Sequence, residues 1–174
     1  MKVAPKPANE QERLQALKSY EILDTLPEKD FDDLTLLASQ ICQTPIALIS
    51  LVEEERQWFK SKIGLGGTES SRQDAFCSHA ILDNKVLVIP NSLEDDRFYD
   101  NPFVTNDPHI RFYAGAPLTT ADGHNIGSLC VIDNKPRQIS PEQISALESL
   151  ARQVVGQMEL RRSLDLFRDY SFHS

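Results

Sequence analysis

Ile46-Ala47-Leu48-Ile49-Ser50-Leu51-Val52 is a short apolar run rich in β-branched residues, and it predicts a buried strand. A charged turn, Glu53-Glu54-Glu55, follows it directly. The next segment, Arg56–Ile63, alternates loosely between apolar and polar residues and contains the adjacent aromatic residues Trp58 and Phe59. A cluster of glycines then ends the segment. This part of the chain is therefore predicted to form an antiparallel hairpin.

Helices are predicted on both sides of this hairpin. The first covers about residues 9–19, and the second opens at Thr25-Leu26-Pro27-Glu28, where a Thr cap, an early Pro and an acid combine. The second helix should stop near Gln43, because Pro45 disfavours helix at the residue before it. Much later, Ser140-Pro141-Glu142-Gln143 opens a long final helix with the same kind of signal.

Further strands are predicted over residues 86–90, 111–118 and 125–133. The last two are joined by Asp122-Gly123, a strong hairpin signal. Residues 93–109 are rich in Asp, Asn and Pro and predict a long irregular loop, of the kind that is often functional. Mostly antiparallel strands with helices at both ends predict an α+β fold in which terminal helices cover one sheet.

The composition is that of an ordinary globular domain, with 174 residues, a net charge of -8 and a pI of about 5.0. Binding to nucleic acid or to an anionic membrane surface would need clustered Lys and Arg, so neither partner is expected. Cys42, Cys77 and Cys130 are widely spaced and show no metal-ligand spacing, which predicts a reduced cytoplasmic protein without a metal site. Neither a signal peptide nor a membrane-spanning segment is expected.

The final helix carries two apolar stripes. The first should face the domain core and consists of Ile144, Leu147, Ala151, Val154 and Met158. The second has heptad-like spacing and consists of Leu150, Leu160, Leu164 and Phe167. It predicts a homodimer contact that continues into a partner domain. The alternative is that the helix packs twice within its own monomer, against the helix that carries Leu14 and Leu17.

Several linked motifs follow one another along the chain: Ile22-Leu23-Asp24-Thr25-Leu26-Pro27-Glu28, residues 45–52, Arg56-Gln57-Trp58-Phe59-Lys60-Ser61, Phe76-Cys77-Ser78-His79-Ala80-Ile81, residues 111–118 and residues 127–133. In this order they resemble the GAF domain family over about residues 10–161. The resemblance implies a central antiparallel sheet of roughly six strands flanked by N- and C-terminal helices. We therefore expect a disordered tail at residues 1–8, the domain at residues 9–160, and a continuation of the signalling helix at residues 161–174.

The resemblance also implies a ligand pocket between one sheet face and the crossover segments. By analogy with the family, its lining would be Ser50, Trp58, Phe59, Phe76, Cys77, His79, Arg111, Tyr113, Cys130 and Asp133. Trp58 and Phe59 are neighbours on a strand and should point to opposite faces, so at most one lines the pocket. Arg111 could instead pair with an acid of Glu94-Asp95-Asp96, and Asp133 could simply make a turn.

The function that these features predict is a non-catalytic sensory and dimerisation module of a bacterial signalling protein, coupled to an output domain such as a histidine kinase or a diguanylate cyclase. The ligand and any cofactor stay open. One alternative is a free methionine sulfoxide reductase that uses Cys77 and Cys130. Another is a bilin photoreceptor, although Ser78 separates Cys77 from the His that should follow it directly. A cyclic nucleotide ligand is a further possibility, but no phosphate-cradling Gly-rich loop opens a helix.

Overall fold

The chain forms one antiparallel sheet with helices packed on it, as the computed structural model describes for residues 1–173 and for the side chains of residues 1–170. Ser174, the last residue of the predicted helix continuation, lies outside the described residues. The helices are α1 (Glu10–Ser19), α2 (Lys29–Cys42), α3 (Cys77–Ala80), α4 (Pro102–Thr105) and α5 (Pro141–His173). The strands are β1 (Ile46–Val52), β2 (Arg56–Ile63), β3 (Glu69–Ser71), β4 (Leu87–Ile89), β5 (Phe112–Thr119) and β6 (Asn125–Asp133).

The strand order in the sheet is β3-β2-β1-β6-β5-β4, and all neighbouring strands are antiparallel. The two central strands pair with Ile49 opposite Leu129, and every residue of both strands is buried. The largely apolar run of β1 fits this burial, because both faces of the sheet are covered at this strand. The predicted α+β fold with a six-stranded antiparallel sheet is confirmed.

The long helices α1, α2 and α5 build one core against one face of the sheet. Leu147, Val154 and Met158 of α5 are buried there together with Phe31 of α2 and Leu17 of α1. Burying an aliphatic side chain of this size contributes about 1.5–3 kcal/mol, so this layer supplies much of the driving force for folding. The first apolar stripe predicted for α5 thus faces the core of its own chain, except for Ile144, which is only partly buried.

The helix ends agree only in part with the sequence signals. At α5 the capping box is present, since Gln143 N donates to Ser140 Oγ over 3.1 Å and Ser140 N to Gln143 Oε1 over 3.0 Å. The predicted start of α2 is wrong, because Thr25 Oγ1 donates back to Ile22 O and the helix begins only at Lys29. Asn9, at the start of α1, makes no side-chain cap hydrogen bond, and its amide nitrogen lies 3.1 Å from His124 Nδ1.

Residues 1–8, for which the sequence predicts a disordered tail, lie against the domain. The ammonium group of Met1 forms an ion pair with Asp100. The backbone of Lys2 donates to Arg97 O over 3.1 Å, and its carbonyl lies 3.1 Å from His79 Nε2. These contacts hold the segment on the crossover side of the sheet.

The second apolar stripe of α5 is divided between the core and the surface. Leu150 is partly buried against the core of its own chain. Leu160, Leu164 and Phe167 are 50%, 47% and 69% exposed. The helix continues without a break through residues 161–173. Within the described residues, none of the helices combines the length and the apolar character that a membrane span requires.

Candidate functional site

A cavity of about 460 Å³ lies on the sheet face opposite the long helices, beneath the crossover segments. Its size falls in the range of small-molecule sites. The apolar part of its lining is Leu48, Phe59, Leu65, Phe76, Phe103, Pro108, Ile110, Tyr113, Cys130 and Ile132. The remaining lining residues are Gln57, Gly64, Gly66, Glu69, Ser70, Cys77 and Asp107. Strands β1, β2, β5 and β6 form the floor, and β3, α3, α4 and the loops around them form the cover.

Aromatic side chains form much of the wall. Phe76, just before α3, stacks on Phe98 with ring centroids 4.2 Å apart and meets Tyr113 at 5.3 Å. A Cβ atom on Gly115 would stand 2.3 Å from the Tyr113 hydroxyl oxygen. The glycine therefore leaves room for the Tyr113 ring to lie along β5, with its hydroxyl 3.3 Å from Ser128 Oγ.

One corner of the cavity is polar and internally hydrogen-bonded. The Gln57 side-chain oxygen accepts from Ser50 Oγ over 2.8 Å and from Cys77 Sγ over 2.7 Å. The Gln57 side-chain nitrogen donates to Ser70 Oγ over 2.5 Å. This network joins β1, β2, β3 and α3, so it fixes the cover to the sheet at this corner.

Two acidic residues also border the cavity, but the Glu69 side chain points away from it, because Glu69 pairs directly with Trp58 and shares its face of the sheet. Asp107 is fully exposed in the loop after α4 and lies 3.4 Å from His109 Nδ1. Glu69 on β3 is half exposed and accepts from Arg56 Nη1 over 2.8 Å. Arg56 also pairs with Asp24 and Glu53, so three carboxylates share one guanidinium group. None of the residues that line the cavity is Lys, Arg or His.

The thiols and the phenol in the site are held in their protonated forms. Burial raises the pKa of Cys77 to about 11, although hydrogen bonding with Ser50 opposes the shift. Burial and the neighbouring Cys77 raise the pKa of Cys130 well above its usual value, and burial does the same for Tyr113. A nucleophilic cysteine needs the opposite shift, toward a stable thiolate. Among the described residues, no group of three or more His, Cys, Asp or Glu side chains is placed to hold a metal ion.

The structure brings half of the predicted pocket residues into the lining: Phe59, Phe76, Cys77, Tyr113 and Cys130. Ser50 is buried directly behind them, on Gln57 and Cys77. Trp58 lies on the opposite face of the sheet, in the core with the long helices, as strand alternation predicts.

The other three predicted residues lie outside the cavity. The His79 ring contacts Lys2 O and the edge of Phe98. Arg111 Nη1 donates to Val104 O over 3.0 Å and to Ile110 O over 3.2 Å, so its guanidinium is used on backbone carbonyls and not on the alternative partners Glu94-Asp95-Asp96. Asp133 forms an ion pair with Arg137. These side chains fasten segments around the cavity.

The sequence reasoning missed the polar and acidic part of the lining. Gln57 could have been predicted, because it lies two residues before Phe59 on the same strand and therefore faces the same side of the sheet. Asp107 and Phe103 fall within the long irregular loop that the sequence marks as often functional. Glu69 belongs to a strand of three residues with no apolar signal, and nothing in the sequence points to it.

Comparison with known proteins places the chain among sensory domains. A family model described as GAF domain matches residues 27–158. A cyclic di-GMP phosphodiesterase of Pseudomonas aeruginosa is 42% identical over 164 residues, and the chain spans 28% of that relative's length. The GAF domain of an Acinetobacter phosphoenolpyruvate-protein phosphotransferase superposes with a TM-score of 0.62 at 17% identity, covering 90% of this chain and 96% of that one. A free methionine-R-sulfoxide reductase of Neisseria meningitidis superposes with a TM-score of 0.64 at 15% identity, covering 88% and 90%.

Proposed function

Because the chain belongs to the GAF domain family, we propose that it is a non-catalytic input module of a signalling protein, which binds a small molecule and passes the signal through its last helix. The single observation that carries the proposal is the cavity of about 460 Å³ with aromatic walls and one polar corner. An apolar enclosure with a few placed polar groups is what small-molecule recognition requires.

The raised pKa values of the buried Cys77 and Cys130 thiols support ligand binding over thiol catalysis. Cys77 and Cys130 line the same cavity, as a thiol-dependent reductase would need, but burial raises both of their pKa values. Attack on a sulfoxide needs a thiolate, which this site disfavours. Covalent attachment of a bilin is not supported either, since Ser78 follows Cys77 and the His79 ring is turned toward Lys2.

A chain of charged contacts supports transmission from the cavity to α5. Phe59 of β2 lines the cavity, and the next residue, Lys60, points to the other face with a fully buried side chain. Lys60 Nζ donates to Glu28 Oε2, and the same carboxylate oxygen accepts from Arg161 Nε over 2.9 Å. A shift of β2 on ligand binding would thus reach α5 through Glu28, at the point where the exposed part of the helix begins.

The output domain that fits best is one that acts on cyclic di-GMP, because the Pseudomonas relative carries that activity in its name. The other output domains that the sequence implies are a histidine kinase and a diguanylate cyclase. The exposed side chains of Leu160, Leu164 and Phe167 support a homodimer whose paired helices lead to the output domain. Three free cysteines support action in the cytoplasm.

Titration of the full chain with the uncharged fluorescent probe N-phenylnaphthylamine tests the cavity. We expect saturable binding, and a loss of affinity of about tenfold or more in Leu65→Trp, where the larger ring takes up cavity space. The matched control is Leu93→Trp, an exposed position outside the lining. No saturable binding, or equal affinities of the two variants, would overturn the proposal.

Hydrogen exchange of the backbone amides tests the transmission. Probe binding should change the protection of residues 157–168 in the wild type, and Glu28→Gln should bind the probe but abolish that change. An unchanged α5 in the wild type, or an undiminished response in Glu28→Gln, would refute the route through Glu28.

A further inference from the structure

We infer that the cavity takes an uncharged aromatic ligand, one of whose oxygen atoms accepts hydrogen bonds from Gln57 and Ser70 at the polar corner. This inference rests on the proposed ligand-binding function and names the chemical class of the ligand. The polar corner supplies the donors, and the neutral walls select against charge.

Two hydrogen-bond donors at the polar corner have spare capacity. The Gln57 side chain lies on the cavity face of β2, since it contacts Cys77 and Ser70, which both line the cavity. Its oxygen already accepts from Ser50 and Cys77, so both of its lone pairs are used. Its nitrogen carries two hydrogens and donates one of them to Ser70 Oγ. Within the described residues, the second amide hydrogen and the Ser70 hydroxyl hydrogen have no acceptor.

A ligand oxygen is the partner that these two donors lack. Gln57 is only 7% exposed, so its second amide hydrogen has little access to bulk water. A buried donor without an acceptor costs free energy, and a carbonyl or ether oxygen in the cavity would remove that cost. A ligand group that can only donate finds no free acceptor on Gln57, because the amide oxygen is already occupied.

The ligand space contains no formal charge to pair with a charged ligand. Asp107 borders the cavity with a fully exposed side chain, and the Glu69 side chain points to the opposite face of the sheet. The thiols of Cys77 and Cys130 and the phenol of Tyr113 are neutral, since burial raises their pKa values. None of the described residues that line the cavity is Lys, Arg or His. A charged ligand group would therefore lose hydration without gaining a counter-charge.

The walls of the cavity suit a flat aromatic body. Phe59, Phe76 and Tyr113 line it, and Phe76 is held by stacking on Phe98 with ring centroids 4.2 Å apart. Rings that are ordered before binding reduce the conformational entropy that is lost when a ligand packs against them. The volume of about 460 Å³ is large enough for a bicyclic aromatic ligand with a short substituent.

Four probes that share one naphthalene body test the chemical class: acetylnaphthalene, ethylnaphthalene, naphthoate and naphthylmethylammonium. Competition of each probe with N-phenylnaphthylamine bound to the full chain gives their affinities. We expect acetylnaphthalene to bind about tenfold more tightly than ethylnaphthalene, since only its oxygen accepts the hydrogen bonds at the corner. Both charged probes should bind at least about tenfold more weakly than acetylnaphthalene.

A variant and a spectroscopic measurement locate the source of the preference. Gln57→Met removes the amide donor at similar side-chain volume and should reduce the acetyl-to-ethyl affinity ratio about threefold or more. The matched control is Gln40→Met, an exposed position on α2, which should leave the ratio unchanged. In the wild type, the NMR resonance of an isotope-labelled carbonyl carbon in bound acetylnaphthalene should lie downfield of its position in cyclohexane, because hydrogen bonding withdraws electron density from that carbon.

The outcomes separate the two proposals. If N-phenylnaphthylamine itself does not bind, the ligand-binding function is refuted and the ligand class falls with it. If ethylnaphthalene or a charged probe binds as tightly as acetylnaphthalene, the cavity remains a ligand site but the proposed class is wrong. An affinity ratio that is unchanged in Gln57→Met, or a carbonyl resonance at its cyclohexane position, would overturn the role of the polar corner.

Discussion

Replacing Glu10 with Gln should destabilise the fold by about 3 kcal/mol near neutral pH, because two buried guanidinium groups share its carboxylate. The side chains of Arg13 and Arg72 are 1% and 9% exposed, and both donate to Glu10. Arg13 also donates to Val52 O over 2.7 Å, and Arg72 to Glu53 O over 3.1 Å. The three charges tie α1 to the turn between β1 and β2, and the variant leaves two buried cations without their carboxylate.

The pH dependence of this contribution has a definite sign. Burial alone would raise the pKa of Glu10, but hydrogen bonds from Arg72 and Arg13 outweigh it and lower the pKa from 4.5 to about 2. A lowered pKa contributes stability that is fully present above the unfolded value of 4.5 and is lost as the pH falls toward 2. Between pH 7 and about pH 3.5 the loss from this group is about 1.4 kcal/mol.

Urea unfolding of the wild type, Glu10→Gln and Glu12→Gln at the two pH values measures the effect. Glu12 is exposed on the same helix, and its replacement should change the unfolding free energy by less than about 0.5 kcal/mol. The deficit of Glu10→Gln should shrink by about 1.4 kcal/mol at the lower pH, since the wild type has by then lost that part of the interaction. A deficit below about 1 kcal/mol at pH 7, or one that is equal at both pH values, would refute the reasoning.

Gly127→Ala should lower the unfolding free energy by about 1–3 kcal/mol in urea titrations, because its Cβ would stand 2.0 Å from Ser50 O of the adjacent strand. The control is Gly66→Ala, whose added Cβ would meet open space. Equal losses in the two variants would contradict this explanation. Glu28→Gln should lower the melting temperature and reduce the unfolding free energy by about 1–3 kcal/mol, because the ammonium group of the fully buried Lys60 side chain loses its carboxylate partner. An unchanged melting temperature would count against that contact. We expect the wild type to form a homodimer that Leu160→Asp and Leu164→Asp shift toward monomer in light scattering, whereas the exposed control Ser163→Asp should not. A wild-type monomer at high micromolar concentration would overturn the dimer prediction.

The strands could be predicted well because each leaves a local pattern in the sequence. The hairpin of β1 and β2 and the last strand β6 have the predicted bounds, since apolar runs, a charged turn and flanking glycines mark their ends. The short strand β3 has none of these marks, and the sequence predicts no strand there. Its pairing with β2 depends on the fold around it, through contacts such as Gln57 with Ser70.

The errors at polar residues share a different cause. Thr25 and Arg111 have side chains whose partners are backbone carbonyls, so sequence neighbours give no sign of the partner. His79 interacts with Lys2, which is distant in the chain. A polar residue near a family motif can therefore fasten the structure or face the ligand, and only the three-dimensional contacts distinguish the two.

The cavity on one face of the sheet depends on the elements that cover that face, because the sheet presents buried apolar side chains on both faces. Leu48 and Ile49 are neighbours on β1 and are both buried, yet Leu48 lines the cavity and Ile49 lies in the filled core. On the filled side, long helices insert whole rows of side chains between those of the sheet. On the other side, elements of three or four residues and loops cannot interdigitate in this way, and a space remains. We therefore expect substitutions in the cover, at positions such as Phe103 and Asp107, to change which ligand is bound, and substitutions in the sheet to change stability first.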